Sequence, residues 1–473
     1  MPAEQKSLQL FGVGMQGKSP KVTSQRRVNC YYEFIKDGDR TKVAIYGTPG
    51  LETWATLTGT VWRGLIEYPK GSKFFGVFGN TFYEINSAGG TTSQGTLNTT
   101  SGQVYMAHNG TEVCITDGTD GWIYNVDTDT FTEITDVDFP TSPTSVIFHN
   151  GRFLVLKDNT GEFYASDLYD GLNWTAGQVA TAEYSPDNLV RIVTVQGIVC
   201  LLGNTTAEFW SDTGSAGFPY ARVPGAAMEW GLAARNSVSP FMDSFAFLAR
   251  NRMGQVRLAM LNGLEAVPLS EPEWDSTVNA YTIVADATSY SYMLGGHPMC
   301  QINFPSAGKS WLYDGLTKVI SELTSYGLTR HRGEIGSTYG NNYIVADYNN
   351  GKLYKLKPDV YTDAGDAITL ELVGRHLFSN DKVIRIPALE IVLETGTATV
   401  GTDPQMAVAF SKDGGHSYGP ERWVSIGQMG EYTQRARWRQ NGRGRDIVVR
   451  ARISEPMKKV IVGANWIANQ GLS

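Results

Sequence analysis

The sequence predicts an all-β protein, a β-propeller-like domain of six or seven blades followed by a C-terminal β-sandwich domain. Three observations predict it. A short hairpin unit recurs along the chain, helical periodicity is poor throughout, and the pattern changes after the polar segment Asp359 to Asp366. Composition agrees. Of 473 residues 52 are glycine, 11% are aromatic and only 18% are charged. Glycine supplies tight turns, and aromatics with Thr and Val suit pleated, half-buried surfaces. The 41% hydrophobic share is enough for a packed core.

The recurring unit is an alternating apolar run, a Gly/Asn turn and a second alternating run. It occurs at Lys73 to Ile85, Val104 to Tyr124, Ser145 to Ser166, Arg191 to Ser211, Ser244 to Pro268, Tyr290 to Leu323 and Ser337 to Leu356. Turns fall at pairs such as Asn109-Gly110, Asn150-Gly151 and Asn262-Gly263. A type I′ hairpin needs positive φ at both central positions, which such pairs supply. Period-two alternation buries one face of each strand. Each unit therefore reads as two to four antiparallel strands, and the units recur at roughly 30–50 residues, a propeller-blade spacing. Tyr83, Tyr124, Tyr164, Trp210, Tyr313 and Tyr354 end units and are expected on the closing strands, filling gaps between blades.

Ahead of the units, Val28 to Phe34 and Val43 to Trp54 flank a Lys/Asp/Gly turn, and Pro49-Gly50 fits a type II turn. A strand there is expected to complete the last blade of a closed ring. The resulting division is 1–59, an N-terminal arm and strand or strands joining the propeller; 60–358, the propeller; 359–367, a linker; and 368–473, the sandwich. The sandwich strands are read at Ile368 to Leu377, Ile384 to Leu393, Gln405 to Phe410, Arg445 to Ile453 and Lys459 to Ile467. Within it, Ser411, Asp413, Gly415, Ser417 and Tyr418 match an Asp-box, a structural turn in which the Asp binds turn amides and the aromatic tucks beneath. His416 inside the motif reads as a solvated loop residue.

Several classes of function are disfavoured. The net charge of −7 opposes nonspecific nucleic-acid binding. Cys30, Cys114, Cys200 and Cys300 are widely spaced and form no CxxC, so they read as reduced core residues. No apolar run reaches the ~20 residues of a membrane span, so no stable membrane insertion is expected. The segment Met1 to Pro20 does not look like a secretory signal, and synthesis and folding in the cytoplasm are expected. GxSxG, HExxH and Walker-type motifs are missing. The six histidines lack metal-ligand spacing. The acidic residues Glu371, Glu390, Asp167 and Asp170 offer no convincing catalytic pair. No enzyme activity, cofactor or metal is expected. The strongest local charge feature is basic: Arg435, Arg437 and Arg439 alternate around Trp438, followed by Arg443, Arg445, Arg450 and Arg452. Alternation places the first three on one strand face. Arg435, Arg437, Arg439, Arg443 and Arg445 read either as a partner-contact strip, with protein favoured over DNA, or as a solvated face.

The order of landmarks resembles the packaged-DNA stabilization proteins, or tail hubs (nozzles), of short-tailed podovirus bacteriophages of the Salmonella-phage type. The similar segments are VNCYYEF to YGTPGLETW, VWRGLIEY (Val61 to Tyr68), VYMAHNG (Val104 to Gly110), FHNGRFLV (Phe148 to Val155), FYASDL (Phe163 to Leu168), NTTAEFWSDTG (Asn204 to Gly214) and FSKDGGHSYG (Phe410 to Gly419). Together they span nearly the whole chain. The resemblance implies a virion-tail component assembled in the host cytoplasm. Such a protein forms a homo-oligomeric ring, expected to be a hexamer, below the portal adaptor protein. It extends the portal-adaptor channel, helps retain packaged DNA that passes through the channel, and connects to the tail needle and to tailspike or fibre proteins. The role needs no catalytic residues. The alternative reading is a glycan-active or glycan-binding propeller tail protein of the sialidase or depolymerase kind.

Overall fold

The computed structural model describes residues 4–8, 10–17, 19–37, 40–70, 72–215, 217–378, 382–398 and 400–470. Seven antiparallel sheets follow one another along the chain and become the blades of a propeller. Blade one runs from Trp62–Tyr68 to Thr91–Thr96, blade two from Tyr105–His108 to Thr130–Glu133, and blade three from Pro143–His149 to Val179–Thr181. Blade four runs from Leu189–Val195 to Tyr220–Met228, blade five from Gly231–Leu232 to Glu265–Pro268, and blade six from Thr288–Leu294 to Ile320–Leu323. Blade seven takes three strands from Gly333–Tyr339 to Gly351–Lys357, and its fourth is Gly50–Leu57, antiparallel to Gly351–Lys357. A strand from early in the chain thus completes the last blade, and the seventh blade packs on the first. Closure removes free sheet edges inside the ring.

Each gap between blades holds its own apolar cluster. Phe75, Phe82 and Tyr124 join blades one and two. Trp62, Phe74 and Phe78 meet Ile344 and Leu353 where blade seven returns to blade one. Between blades five and six the short helix Pro272–Val278 inserts Trp274, which is 0% exposed. Proline at the helix start suits a position whose N–H has no helical partner. The turn chemistry is visible at Asn150-Gly151, where φ is 47° and 86°. Tyr83, Tyr124, Tyr164, Trp210, Tyr313 and Tyr354 all lie on third strands, one in from the rim, and not on the closing strands. The closing strands Thr91–Thr96 and Val179–Thr181 are short and none of their residues is fully buried, so their sequences carry little alternation.

The second domain is a sandwich. One layer orders Cys30–Asp37, Arg40–Gly47, Val460–Gln470, Ile384–Leu393 and Ala436–Arg439. The other orders Arg26–Val28, Leu370–Val373, Asp446–Ile453, Gln405–Ser411 and Arg422–Ser425. The expected placement of the arm is corrected here. Gly50–Leu57 joins blade seven and Arg26–Val28 pairs with blade six, while the hairpin Cys30–Gly47 builds into the sandwich, because Cys30, Tyr32 and Ile45 bury against Leu370, Ile391 and Ile461. The tip of that hairpin, residues 38–39, lies outside the described residues.

The domains share backbone. Arg26–Val28 pairs parallel with the last strand of blade six and antiparallel with Leu370–Val373, so one sheet runs from propeller to sandwich. Asn29 fastens this seam at φ 54°, a left-handed conformation that Asn tolerates. Its side chain donates to the carbonyls of Thr324 (3.0 Å) and Thr369 (2.9 Å) and accepts from the Thr324 N–H (2.9 Å). Arg26 adds ion pairs to Glu322 and Glu371, both at 2.7 Å. The segment 359–367 is also anchored: Asp363 is buried and ion-paired to Arg332 at 2.9 Å.

Candidate assembly surface

The basic strip lies on the outer face of the sandwich. In Ala436–Arg439, Ala436 and Trp438 turn inward, 0% and 1% exposed, and Trp438 donates its indole N–H to the Arg422 carbonyl. Arg437 and Arg439 therefore face outward, with Arg435 exposed just before the strand. Arg437 stands opposite Glu390, and Arg439 opposite Ala388. Arg443 is exposed on the adjoining short strand, directly opposite Arg385, and Arg445 follows it into solvent. Among the described residues, none of Arg435, Arg437, Arg439, Arg443, Arg445 or Arg385 closes an ion pair. Arg450 and Arg452 differ, for both are paired with Glu421, at 3.6 and 2.8 Å. Two arginines set opposite each other without carboxylates repel. Arg385 was not among the candidates. Its signal was the alternation Ile384-Arg385-Ile386, the same period that marked the other arginines.

The Asp-box residues form a tight turn at the end of Gln405–Ser411. The Ser411 hydroxyl donates to Asp413 at 2.6 Å and accepts the Gly415 N–H at 2.8 Å, while the Ser417 N–H donates to Asp413 at 3.0 Å. These donors hold the Asp413 carboxyl well below the usual carboxylate range. Tyr418 lies under the Arg450 guanidinium, 4.6 Å from the ring centre. Gly415 has φ 90°, and a Cβ there would meet Ser24 at 3.0 Å, so the turn also presses on the N-terminal segment. His416 is exposed.

The carboxylates weighed for glycan chemistry do not converge. Glu371 is taken by Arg26, Glu390 lies in the other sandwich layer, and Asp170 caps its own turn at the Leu172 and Asn173 amides. The four cysteines are buried free thiols, and burial raises each pKa. Among the described residues no cluster of His, Cys, Asp and Glu could hold a metal, and no helix is long and apolar enough to cross a membrane.

A closed seven-bladed ring fused through a shared sheet to a sandwich defines an all-β protein of two joined domains. Two family models match it. "Bacteriophage P22 Gp10, beta-propeller" covers residues 11–361, and "Bacteriophage P22 Gp10, beta-sandwich" covers residues 369–467. The chain belongs to the bacteriophage P22 Gp10 family. It is similar to the tail hub protein gp10 of Salmonella phage P22, 24% identical over 321 residues, 63% of this chain and 64% of that protein. The match thus spans a little under two thirds of the relative's length. Among solved structures, the extracellular domain of the hybrid two-component system BT4673 from B. thetaiotaomicron has a TM-score of 0.44 at 8% identity, covering 76% of this chain and 43% of that one. The N-terminal domain of Nup159 has a TM-score of 0.41 at 10% identity, covering 70% and 99%.

Proposed function

We propose that this chain is a non-catalytic tail hub of a phage virion, a structural piece that extends the DNA channel below the head, helps hold the packaged genome and carries distal tail parts. The observation that carries the reading is the continuous sheet from blade six into the sandwich. It makes two domains into one stiff body, as a component under load from packed DNA requires. Family membership supports the same role. The working unit is a ring of copies, a hexamer, set against a portal adaptor on one side and needle and spike or fibre proteins on the other. In that ring residues 60–358 and 368–473 act as propeller and sandwich modules, with 1–59 as the arm and 359–367 as the link. The strip Arg435, Arg437, Arg439, Arg443 and Arg445, extended by Arg385, is the protein-contact face, and the Asp-box at Ser411, Asp413, Gly415, Ser417 and Tyr418 is a structural turn. Nothing in the geometry favours the glycan-active alternative.

Electron microscopy of the purified chain mixed with its adaptor and distal tail proteins tests this. A six-fold annulus on the tail axis is expected. Side-mounted trimers, or release of reducing ends from host polysaccharide, would overturn it. Reversing the charge of the strip (Arg437→Glu with Arg439→Glu) is expected to leave the melting temperature within a few degrees and to lower incorporation into tails at least tenfold.

A further inference from the structure

The propeller axis holds a cavity of about 210 Å³ lined by the innermost strands of most blades, including Gly64, Tyr105, Arg191, Asn236, Ser289 and Gly336. Arg191 is the one charged residue on its wall. Its guanidinium lies over the Tyr105 ring, 4.3 Å from the centre, and its Nε is buried without a hydrogen-bond partner. Arg191 is half-buried and lines the cavity. Among the described residues no carboxylate pairs with it. Its charged neighbour Arg235 is already paired with Asp158. The other wall groups do not compensate: the Ser289 hydroxyl is buried without a partner, and Asn236 uses its carbonyl oxygen to accept from the Tyr105 hydroxyl, which leaves its amide N–H groups as donors.

An unpaired guanidinium in the middle of a folded ring is costly unless a counter-charge joins it. We infer that the axial cavity of the propeller is a binding site for a small oxyanion, a phosphate or a carboxylate, held by the Arg191 guanidinium with the Asn236 amide as a further donor. The planar fork of arginine suits two oxygens of such an ion. Desolvation lowers the pKa of Arg191 as the structure stands, and a bound anion relieves that penalty.

The test is thermal unfolding of the full chain in increasing sodium phosphate or sodium acetate, against sodium chloride of equal ionic strength. A ligand that binds only the folded state raises the melting temperature with its concentration. The expected result is a rise beyond the chloride control, steeper with whichever ion is the preferred class. The rise should disappear in Arg191→Met and persist in Arg222→Gln, an exposed arginine outside both the cavity and the basic strip. If Arg191→Met does not fold, Arg191→Lys keeps the charge without the fork and should weaken the response at least tenfold in concentration. Phosphorus NMR line broadening of added phosphate, seen with the parent chain and lost in the Arg191 variant, gives a second readout. No rise beyond chloride, or the same rise in the Arg191 variants, overturns the inference.

Discussion

Asp413 and Lys459 show how single groups are set by what surrounds them. Four hydrogen-bonding contributions from Ser411, Ser417 and the turn backbone depress the Asp413 pKa. A carboxylate with a lowered folded-state pKa contributes stability above its unfolded value, near pH 4, and loses it as pH falls further. Asp413→Asn should therefore lower the melting temperature at pH 7, and the gap to the parent chain should close as pH drops below about 4. A gap that stays constant across that range would show the charge to be irrelevant. Lys459 is the opposite case. It is buried, and desolvation pulls its pKa from 10.5 to about 8, against a smaller opposing effect of Glu455. Between these values the unfolded chain binds more protons than the folded one, so stability climbs as pH rises through the interval. Lys459→Met should raise stability at pH 7 by about 1–3 kcal/mol and flatten that climb, as read by urea denaturation at pH 7 and pH 10.

At the scale of elements, ring closure rests on the gap between blades seven and one. Leu353→Ala, at a fully buried position in that gap, should cost about 2–5 kcal/mol, and the loss should appear in denaturant unfolding followed by tryptophan fluorescence. A loss under 1 kcal/mol would mean that the closing contact is not tightly packed. What covers a strand decides how plainly its sequence marks it. Inner and middle strands such as Lys73–Phe78 and Ile198–Gly203 are nearly continuous apolar runs because both faces meet neighbouring blades. Rim strands such as Thr91–Thr96 meet solvent and carry no pattern to find. The hairpin Cys30–Gly47 could not be assigned to a domain, since alternation reports a buried face without naming what buries it. The basic face was half legible. Arg437 and Arg439 declare themselves by flanking Trp438, but the neighbour that makes the charge excess acute, Arg385, sits some fifty residues earlier and meets Arg443 only through sheet register.

For the whole molecule, the seam between the domains decides whether the body is rigid. Asn29→Ala removes four hydrogen bonds and forces alanine into a left-handed conformation, a change of about 2–4 kcal/mol. Hydrogen exchange should then speed up at Ile320–Leu323 and Leu370–Val373 before it does so in blades two to four. Uniform exchange across the chain would show that the seam is not where the domains come apart. The strand pairing also sets a timetable. Gly50–Leu57 needs a partner made some three hundred residues later, and Arg40–Gly47 needs Val460–Gln470. Blades one to six are ready as the ribosome delivers them, yet Gly50–Leu57 waits for Gly351–Lys357, and the hairpin Cys30–Gly47, already paired within itself, waits for Val460–Gln470. A chain cut before Gly351–Lys357 leaves the ring open, and one cut before Val460–Gln470 leaves the sandwich without its central strand, so either truncation removes a surface that assembly needs.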